Sequence, residues 1–270
     1  MEKALAGCRF ERLISMLWIL LFSQLLLSNL PVPTDALQKV DALIEKSSLA
    51  EWDSDSTGTF LRLKYPEGCV GTSRKTGCAV QFSLPLNDLQ ADELWSSYEV
   101  FFEEGFDFRK GGKLPGFCGG KCYTGGDKPK SADGWSNRVM WKKDGFLTQY
   151  VYHFKQAHQY ADNFVWNLNG TKERKKVETG KWHRIVTHVK LNRVEGSEVS
   201  DDAVLQTWMD GEQVIDVDTL RLRNASEQKI DRFYFSTFHG GGDPSYAPRW
   251  DSFIRFRNLQ IVREEKDLLP

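Results

Sequence analysis

Two runs with alternating side chains, GWSNRVMW (residues 134–141) and LTQYVYHF (residues 147–154), decide the fold class. Both are rich in β-branched and aromatic residues, which is typical of the two arms of a β-hairpin. Similar runs separated by Gly, Asp, Asn and Pro follow along the chain, and Asp210-Gly211 between two of them is a strong hairpin signal. Helical spacing appears only in DALQKVDALIEKSSLAEW (residues 35–52). We therefore predict an all-β protein, an antiparallel β-jelly-roll sandwich with one short N-terminal helix.

The composition describes a globular chain with no bias toward nucleic acid. It has 270 residues, a net charge of -1 and 27% charged residues. No internal repeat or composition shift divides the chain after its first segment, so a single domain over residues 37–270 is predicted. Because the overall charge supplies no steering field, any anionic ligand must be held by a local cluster of cations.

The first 36 residues follow a different pattern. Basic residues precede the apolar run LISMLWILLFSQLLL (residues 13–27), and Thr34 and Ala36 then offer a small-residue cleavage site. We predict a signal peptide over residues 1–36 and a secreted, extracellular protein that has no membrane contact after cleavage. An uncleaved anchor is the alternative, although the run is shorter than the roughly 20 residues that cross a bilayer.

The cysteines fit an oxidising compartment. Removing the leader removes Cys8 and leaves an even number of cysteines: Cys69, Cys78, Cys118 and Cys122. Two disulfides are predicted, and pairing between nearest neighbours is the first of three connectivities. A zinc site fits the spacing poorly, and no metal or cofactor is expected. Two sequons offer glycosylation acceptors for a secreted protein: Asn169 and Asn224.

The hairpin carries polar side chains that suit an acidic sugar. Since side chains alternate along a strand, Ser136 and Arg138 should share one face with Tyr150 and Tyr152. A lysine-rich loop (residues 109–134) leads into this hairpin. Neutralising a uronate carboxylate acidifies the C5 proton for β-elimination, and a tyrosine flanked by cations can act as base and then acid. The same residue types also describe the solvent face of any antiparallel strand.

Five segments in this order resemble polysaccharide lyase family 14, which includes alginate lyases of molluscs and algal viruses. The segments are KGGKLPG (residues 110–116), DGWSNRVMW (residues 133–141), YVYHF (residues 150–154), YADNFVWN (residues 160–167) and GGGDPSYAP (residues 240–248). The resemblance covers most of the chain from about residue 51 to residue 261. A K-x-P-G loop, an S-x-R strand and a Y-x-Y strand recur together, which makes it fairly specific.

The resemblance implies a β-jelly-roll enzyme that cleaves mannuronate-rich alginate, an acidic polysaccharide, by metal-independent β-elimination without a cofactor. It places the catalytic residues at Lys113, Ser136, Arg138, Tyr150 and Tyr152. In this assignment Tyr150 or Tyr152 is base and acid, Arg138 and Lys113 neutralise the carboxylate, and Ser136 positions the substrate. Two glycine-rich loops are expected to add substrate-binding residues: Lys121, His239 and Tyr246.

The chain departs from the family pattern in two places. It reads GFCGG (residues 116–120) and FHGGG (residues 238–242) where family members read closer to GLYGG and FFGG. His239 therefore stands where an aromatic residue is expected, and the preferred uronate stays open. A glucuronan lyase of the same family is one alternative. A non-catalytic, lectin-like carbohydrate-binding module is another, because sandwich folds carry either function. A monomer is expected.

Overall fold

The computed structural model describes residues 34–72, 77–168 and 171–269. Within them the chain forms one helix, α1 (Thr34–Glu45), and a series of short strands. The strands are β1 (Ala50–Asp55), β2 (Gly58–Tyr65), β3 (Val80–Pro85), β4 (Glu93–Phe102), β5 (Gly111–Lys113), β6 (Gly116–Gly120), β7 (Gly134–Lys142), β8 (Leu147–Tyr152), β9 (Asp162–Val165), β10 (Trp182–Lys190), β11 (Val194–Glu195), β12 (Glu198–Val199), β13 (Ala203–Met209), β14 (Glu212–Leu220), β15 (Arg232–His239) and β16 (Ser252–Val262).

Fourteen of these strands form two seven-stranded sheets, and β11 and β12 pair with each other as a small two-stranded sheet. The first sheet has the order β1-β2-β16-β4-β10-β13-β14. The second has the order β3-β15-β5-β7-β8-β9, and β6 also lies between β15 and β7. Neighbouring strands in both sheets are antiparallel. The predicted all-β, antiparallel sandwich with one short helix is thus confirmed.

The predicted hairpin at Asp210-Gly211 joins β13 to β14. Both residues have positive φ angles, 54° and 84°, as the two central positions of a type I′ turn require. Along β13 buried and half-buried residues alternate, with Leu205 and Thr207 among the buried ones. This alternation directs one face of the strand to the core and the other to solvent.

Aromatic side chains join the two sheets. Trp141 of the second sheet packs against Tyr65 and Phe102 of the first, with ring centroids 5.8 and 5.9 Å apart. Phe235 of β15 meets Phe256 of β16 at 5.0 Å. Burial of each such ring stabilises the fold by roughly 1.5–3 kcal/mol. Because Trp141 points inward, its neighbours along β7 at positions 138, 140 and 142 point outward.

Helix α1 closes one edge of the core. Ala36, Val40 and Ile44 are buried and repeat at a spacing of four residues, which places them on one helix face. Thr34 begins the helix, so the last three residues of the predicted signal peptide (residues 1–36) belong to α1. The rest of that segment lies outside the described residues. In the part of the chain that the structure describes, no helix has the length and apolarity needed to cross a membrane.

Both disulfides join nearest neighbours in the sequence. Cys69 pairs with Cys78, and Cys118 of β6 pairs with Cys122. The first predicted connectivity is therefore confirmed. Of the two sequon asparagines, Asn224 is exposed, whereas Asn169 lies outside the described residues. Glycosylation at either site stays a prediction.

Asp107 fastens the segment before β16 to the end of β4. Its buried carboxylate accepts from the backbone N–H of Arg249 at 2.8 Å and from the guanidinium Nε at 3.0 Å. Burial raises the pKa of Asp107, but these hydrogen bonds and the charge of Arg249 outweigh it, so that the pKa lies below its usual value. The ionised carboxylate is thus the form that stabilises the fold.

Replacing Asp107 with asparagine is expected to lower the free energy of unfolding by about 2 kcal/mol at pH 7. A depressed pKa in the folded state means that this stabilisation is complete above the unfolded value of about 3.9 and is lost as pH falls through the folded value. Chemical denaturation from pH 7 down to pH 3 measures the difference between the two proteins. The exposed Asp53→Asn is the control, and a difference independent of pH would contradict the assignment.

Candidate active site

The β7–β8 hairpin assembles the predicted polar face. Ser136 lies directly opposite Tyr152, and Arg138 lies opposite Tyr150. Directly opposed residues point to the same side of a sheet, so all four side chains lie on the face turned away from Trp141 and the core. We call this the outer face of the second sheet. The sequence prediction that these four residues share one face is confirmed.

Sheet pairing brings Lys113 onto the same face. β5 lies beside β7, and Lys113 is opposite Met140. The Lys113 Nζ donates to the Met140 Sδ at 2.7 Å and lies 3.6 Å from the centroid of the Tyr150 ring. Lys113 is only 7% exposed. The structure thus places an amine against one of the two predicted catalytic tyrosines.

Arg138 is a buried cation without an anionic partner. Its exposed fraction is 2%, and its Nε has no hydrogen-bond acceptor. The guanidinium carbon lies 6.0 Å from the Tyr150 ring centroid and 5.6 Å from that of Tyr234. Within residues 34–72, 77–168 and 171–269, no carboxylate forms an ion pair with Arg138 or Lys113. Since buried charges are normally paired, this arrangement indicates a site for an anion.

A glycine allows β6 to lie close to β7 beside Arg138. Gly116 of β6 lies opposite Tyr234 and next to β7. A Cβ atom at Gly116 would stand 1.9 Å from the carbonyl oxygen of Asn137, so β6 can approach β7 only with glycine here. No side chain therefore separates Tyr234 from Arg138 at this position of the sheet.

Burial sets the protonation of the site. Burial lowers the pKa of Lys113 well below its usual value, and the positive charges of Arg138 and Lys142 lower it further. Burial raises the pKa of Tyr150, with Tyr152 adding to this effect and Arg138 opposing it. The expectation that cations favour the phenolate is therefore wrong for Tyr150, because desolvation outweighs them. The uncharged amine and the uncharged phenol are favoured.

Ser136 and Tyr152 hold a loop against the outer face. Tyr152 is fully buried, and its hydroxyl oxygen accepts from the Gly126 N–H at 2.7 Å. The Ser136 Oγ donates to the Tyr123 carbonyl at 2.6 Å. The Tyr123 hydroxyl in turn donates to Asp133 at 2.7 Å. In this structure both predicted catalytic side chains therefore anchor the loop of residues 121–133, and both are buried.

The predicted substrate-binding residues lie in different surroundings. Lys121 begins the same loop, is exposed and pairs with Asp127 at 2.9 Å. Tyr246 is half-buried, with the Lys110 Nζ 5.5 Å from its ring centroid. Their predicted role in substrate binding stays a prediction.

His239 lies in the core, which corrects the expectation that it contacts the substrate. It is 1% exposed, and its ring packs against those of Tyr65 and Trp141. The Nε2 donates to the Asp107 carbonyl at 2.7 Å, and burial lowers the pKa to about 4. The cause is strand alternation: along β15, Tyr234 and Ser236 point outward, so position 239 points inward.

Two residues of the site, Met140 and Tyr234, were not predicted from the sequence. Met140 follows Arg138 at a spacing of two, so strand alternation alone would have placed it on the outer face. Tyr234 lies far away in the sequence and is brought in by the pairing of β15 with β6. Nothing in the chain order signals that contact.

These residues bring together groups of the chemical types that can bind a carboxylate and transfer a proton. A guanidinium, an amine whose pKa is lowered by burial and a phenol whose pKa is raised by burial lie side by side on the outer face. In the described parts of the chain, no group of three or more His, Cys, Asp and Glu side chains is arranged to hold a metal ion.

Comparison with known proteins finds a matching family and similar structures. The family model described as Polysaccharide lyase 14 matches residues 53–259. The marine PL-14 alginate lyase from Aplysia kurodai is similar, with 27% identity, a TM-score of 0.65 and coverage of 80% of this chain and 87% of that one. Aly36B, an alginate lyase solved with an alginate tetrasaccharide, has 26% identity and a TM-score of 0.63, with coverage of 76% and 82%.

A more distant structure shares the fold. The alginate lyase vAL-1 from a Chlorella virus superposes with a TM-score of 0.68 at 21% identity, covering 86% of this chain and 98% of that one. No curated protein sequence matches the chain.

Proposed function

The chain belongs to polysaccharide lyase family 14, and from this premise we propose that it is a secreted enzyme that cleaves mannuronate-rich alginate by β-elimination. Its class, a polysaccharide lyase, follows from the family and from the similar alginate lyases. The substrate, the mechanism and the secretion are the proposal. Two disulfides support an oxidising compartment, and we propose a monomer.

One observation carries the proposal: Arg138 is buried and has no anion beside it. A guanidinium binds a carboxylate through paired hydrogen bonds, and a uronate polymer supplies one carboxylate on each sugar. The Tyr234 ring lies 5.6 Å from the guanidinium carbon of Arg138 and offers an aromatic surface beside it for a sugar. The bound carboxylate would compensate the positive charge that the protein leaves unpaired.

We assign the two proton transfers from the closeness of Lys113 to Tyr150 and from the directions in which burial shifts the pKa values of the two groups. Arg138 neutralises the carboxylate, which acidifies the C5 proton. The uncharged amine of Lys113 takes that proton, the C4=C5 double bond forms, and the O4 leaving group receives a proton from Tyr150. The Lys113 ammonium then returns a proton to the Tyr150 phenolate. This assignment replaces the expected role of Lys113 as a second carboxylate neutraliser.

The buried residues Ser136 and Tyr152 have a positioning role in this assignment. Ser136 and Tyr152 keep the loop of residues 121–133 on the outer face through Tyr123 and Gly126. The ring of Tyr152 also stands against that of Tyr150, with centroids 5.6 Å apart. Fixing the donor in this way keeps it aligned with the leaving oxygen.

Ultraviolet absorbance of the new C4=C5 double bond tests the proposal directly. We expect the purified protein to produce this absorbance on mannuronate-rich alginate, and neutral mannan, which lacks carboxylates, is the control. A signal confined to the glucuronate polymer would establish the glucuronan lyase instead. The lectin-like module would be favoured if the protein binds a uronate polymer but produces no ultraviolet absorbance on any of the three substrates: mannuronate-rich, guluronate-rich or glucuronate chains.

A further inference from the structure

The outer face of the second sheet continues beyond the proposed active site into a group of cations. Lys142 ends β7 and follows Arg138 and Met140 at spacings of two, so its side chain points the same way. Two more cations follow on a neighbouring segment of the chain, Arg174 and Lys176. We call Lys142, Arg174 and Lys176 the basic end.

Phe146 organises the basic end. The Lys142 backbone N–H donates to the Phe146 carbonyl at 2.7 Å. The Arg174 guanidinium carbon lies 4.4 Å from the centroid of the Phe146 ring. Lys176 forms an antiparallel bridge with Phe146, which directs both side chains to the same side. Three cations from two segments therefore share one side of the sheet with Phe146, and Arg174 lies against its ring.

These cations have no acidic partner. Among the residues that the structure describes, none of the three forms an ion pair, although Lys175 between two of them pairs with Glu212. Asp144 and Glu173 are nearby in the sequence, but both are exposed and neither pairs with the basic end. Lys142 is half-buried, and burial together with the charge of Arg174 lowers its pKa. The positive charge of the basic end is thus uncompensated.

The separation of the two charged regions suits one polymer chain. Arg138 and Lys142 are four residue steps apart along β7, so their backbones are separated by about 13 Å. That exceeds the length of one pyranose ring, and the two side chains leave the strand in the same direction, so each is placed to meet a different sugar of the polymer. Both lie on one continuous face, and the charge of Lys142 is close enough to lower the pKa of Lys113.

We infer that the basic end is a second carboxylate-binding subsite, which holds uronate residues of the polymer remote from the bond that is cleaved. This inference rests on the proposed function, since it assigns the same polymer to the same face. Its ligand is a chain of uronates long enough to reach from Arg138 to Lys142. It predicts that the enzyme distinguishes polymers from short oligomers.

The double variant Arg174→Ala/Lys176→Ala tests the inference, because both side chains are exposed and their removal leaves β7 intact. We expect the KM for the polymer to rise roughly tenfold, the loss of about 1.4 kcal/mol of binding, while kcat stays the same. The KM for a trisaccharide should not change. Increasing salt should weaken polymer binding less in the variant than in the original protein.

The control removes the same charge elsewhere. Lys39→Ala/Lys46→Ala deletes two exposed lysines on and just after α1, and we expect neither KM to change. An unchanged polymer KM in the Arg174→Ala/Lys176→Ala variant, or an equal rise for polymer and trisaccharide, would overturn the inference. Calorimetric binding of the same two ligands keeps the test independent of the proposed function. If the original protein shows no lyase activity, a loss of affinity for the polymer alone still supports the subsite.

Discussion

Tyr150→Phe is expected to lower kcat by at least roughly 100-fold, the low end of the range for general acid or base catalysis. The substitution removes only the hydroxyl that the proposal uses to protonate the leaving oxygen. The ring remains, so its contact with the Lys113 amine at 3.6 Å and its packing against Tyr152 are kept. The KM for the polymer should change little, because Arg138 still holds the carboxylate.

Initial rates of double-bond formation measure the effect. Tyr160→Phe is the control, since Tyr160 is also a tyrosine but is 61% exposed and lies over Gly126 at the edge of the site. Near-normal turnover of Tyr150→Phe would refute the assignment of the acid. Tyr152→Phe separates positioning from proton transfer: it leaves the Gly126 N–H without its acceptor, so it should also loosen the loop of residues 121–133.

Arg138→Met is expected to lower the rate as strongly as Tyr150→Phe does. Unlike most losses of a functional group in the site, it should also raise the stability of the fold. Loss of the group that stabilises the developing negative charge should lower kcat/KM by about 100-fold to 1,000-fold. Replacing a buried, unpaired cation with an apolar side chain of similar length should raise the free energy of unfolding by roughly 1–3 kcal/mol. A structural arginine would lose both activity and stability.

Enzyme assays and chemical denaturation of the same samples measure both quantities. Arg257→Met is the matched control, because Arg257 pairs with Glu99 at 2.7 Å on the first sheet. We expect it to lower stability and to leave the rate unchanged. Arg138→Met with full activity, or with a stability loss like that of the control, would show that Arg138 does not form the anion site.

Strand periodicity made the central part of the site predictable. The spacing of two in Ser136, Arg138, Tyr150 and Tyr152 is a local property, and the hairpin that joins these residues is short. The disulfides were predictable for the same reason, since each closes a short loop. Lys113 entered through the family resemblance, because its pairing with Met140 depends on the order of strands in the sheet.

Burial and distant contacts were not predictable. The pKa of Tyr150 rises because burial desolvates its hydroxyl, and this outweighs the nearby charge of Arg138. The sequence does not reveal which hydroxyl groups are buried. The hydroxyl oxygen of Tyr152 accepts a hydrogen bond from the Gly126 N–H, and residue types alone cannot predict this contact. His239 was assigned to the substrate from its neighbours in the loop, whereas its position along β15 determines that it points inward.

The bare backbone at Gly116 also limits how this enzyme can evolve. A mutation to any other residue would bring a Cβ within 1.9 Å of a backbone oxygen on β7, so no new side chain can arise between Tyr234 and Arg138. Changes in substrate range can still come from the loops and from the basic end, where exposed side chains can be exchanged without disturbing the sheet. The residues of the proposed active site and those of the loops and the basic end can therefore diverge at different rates.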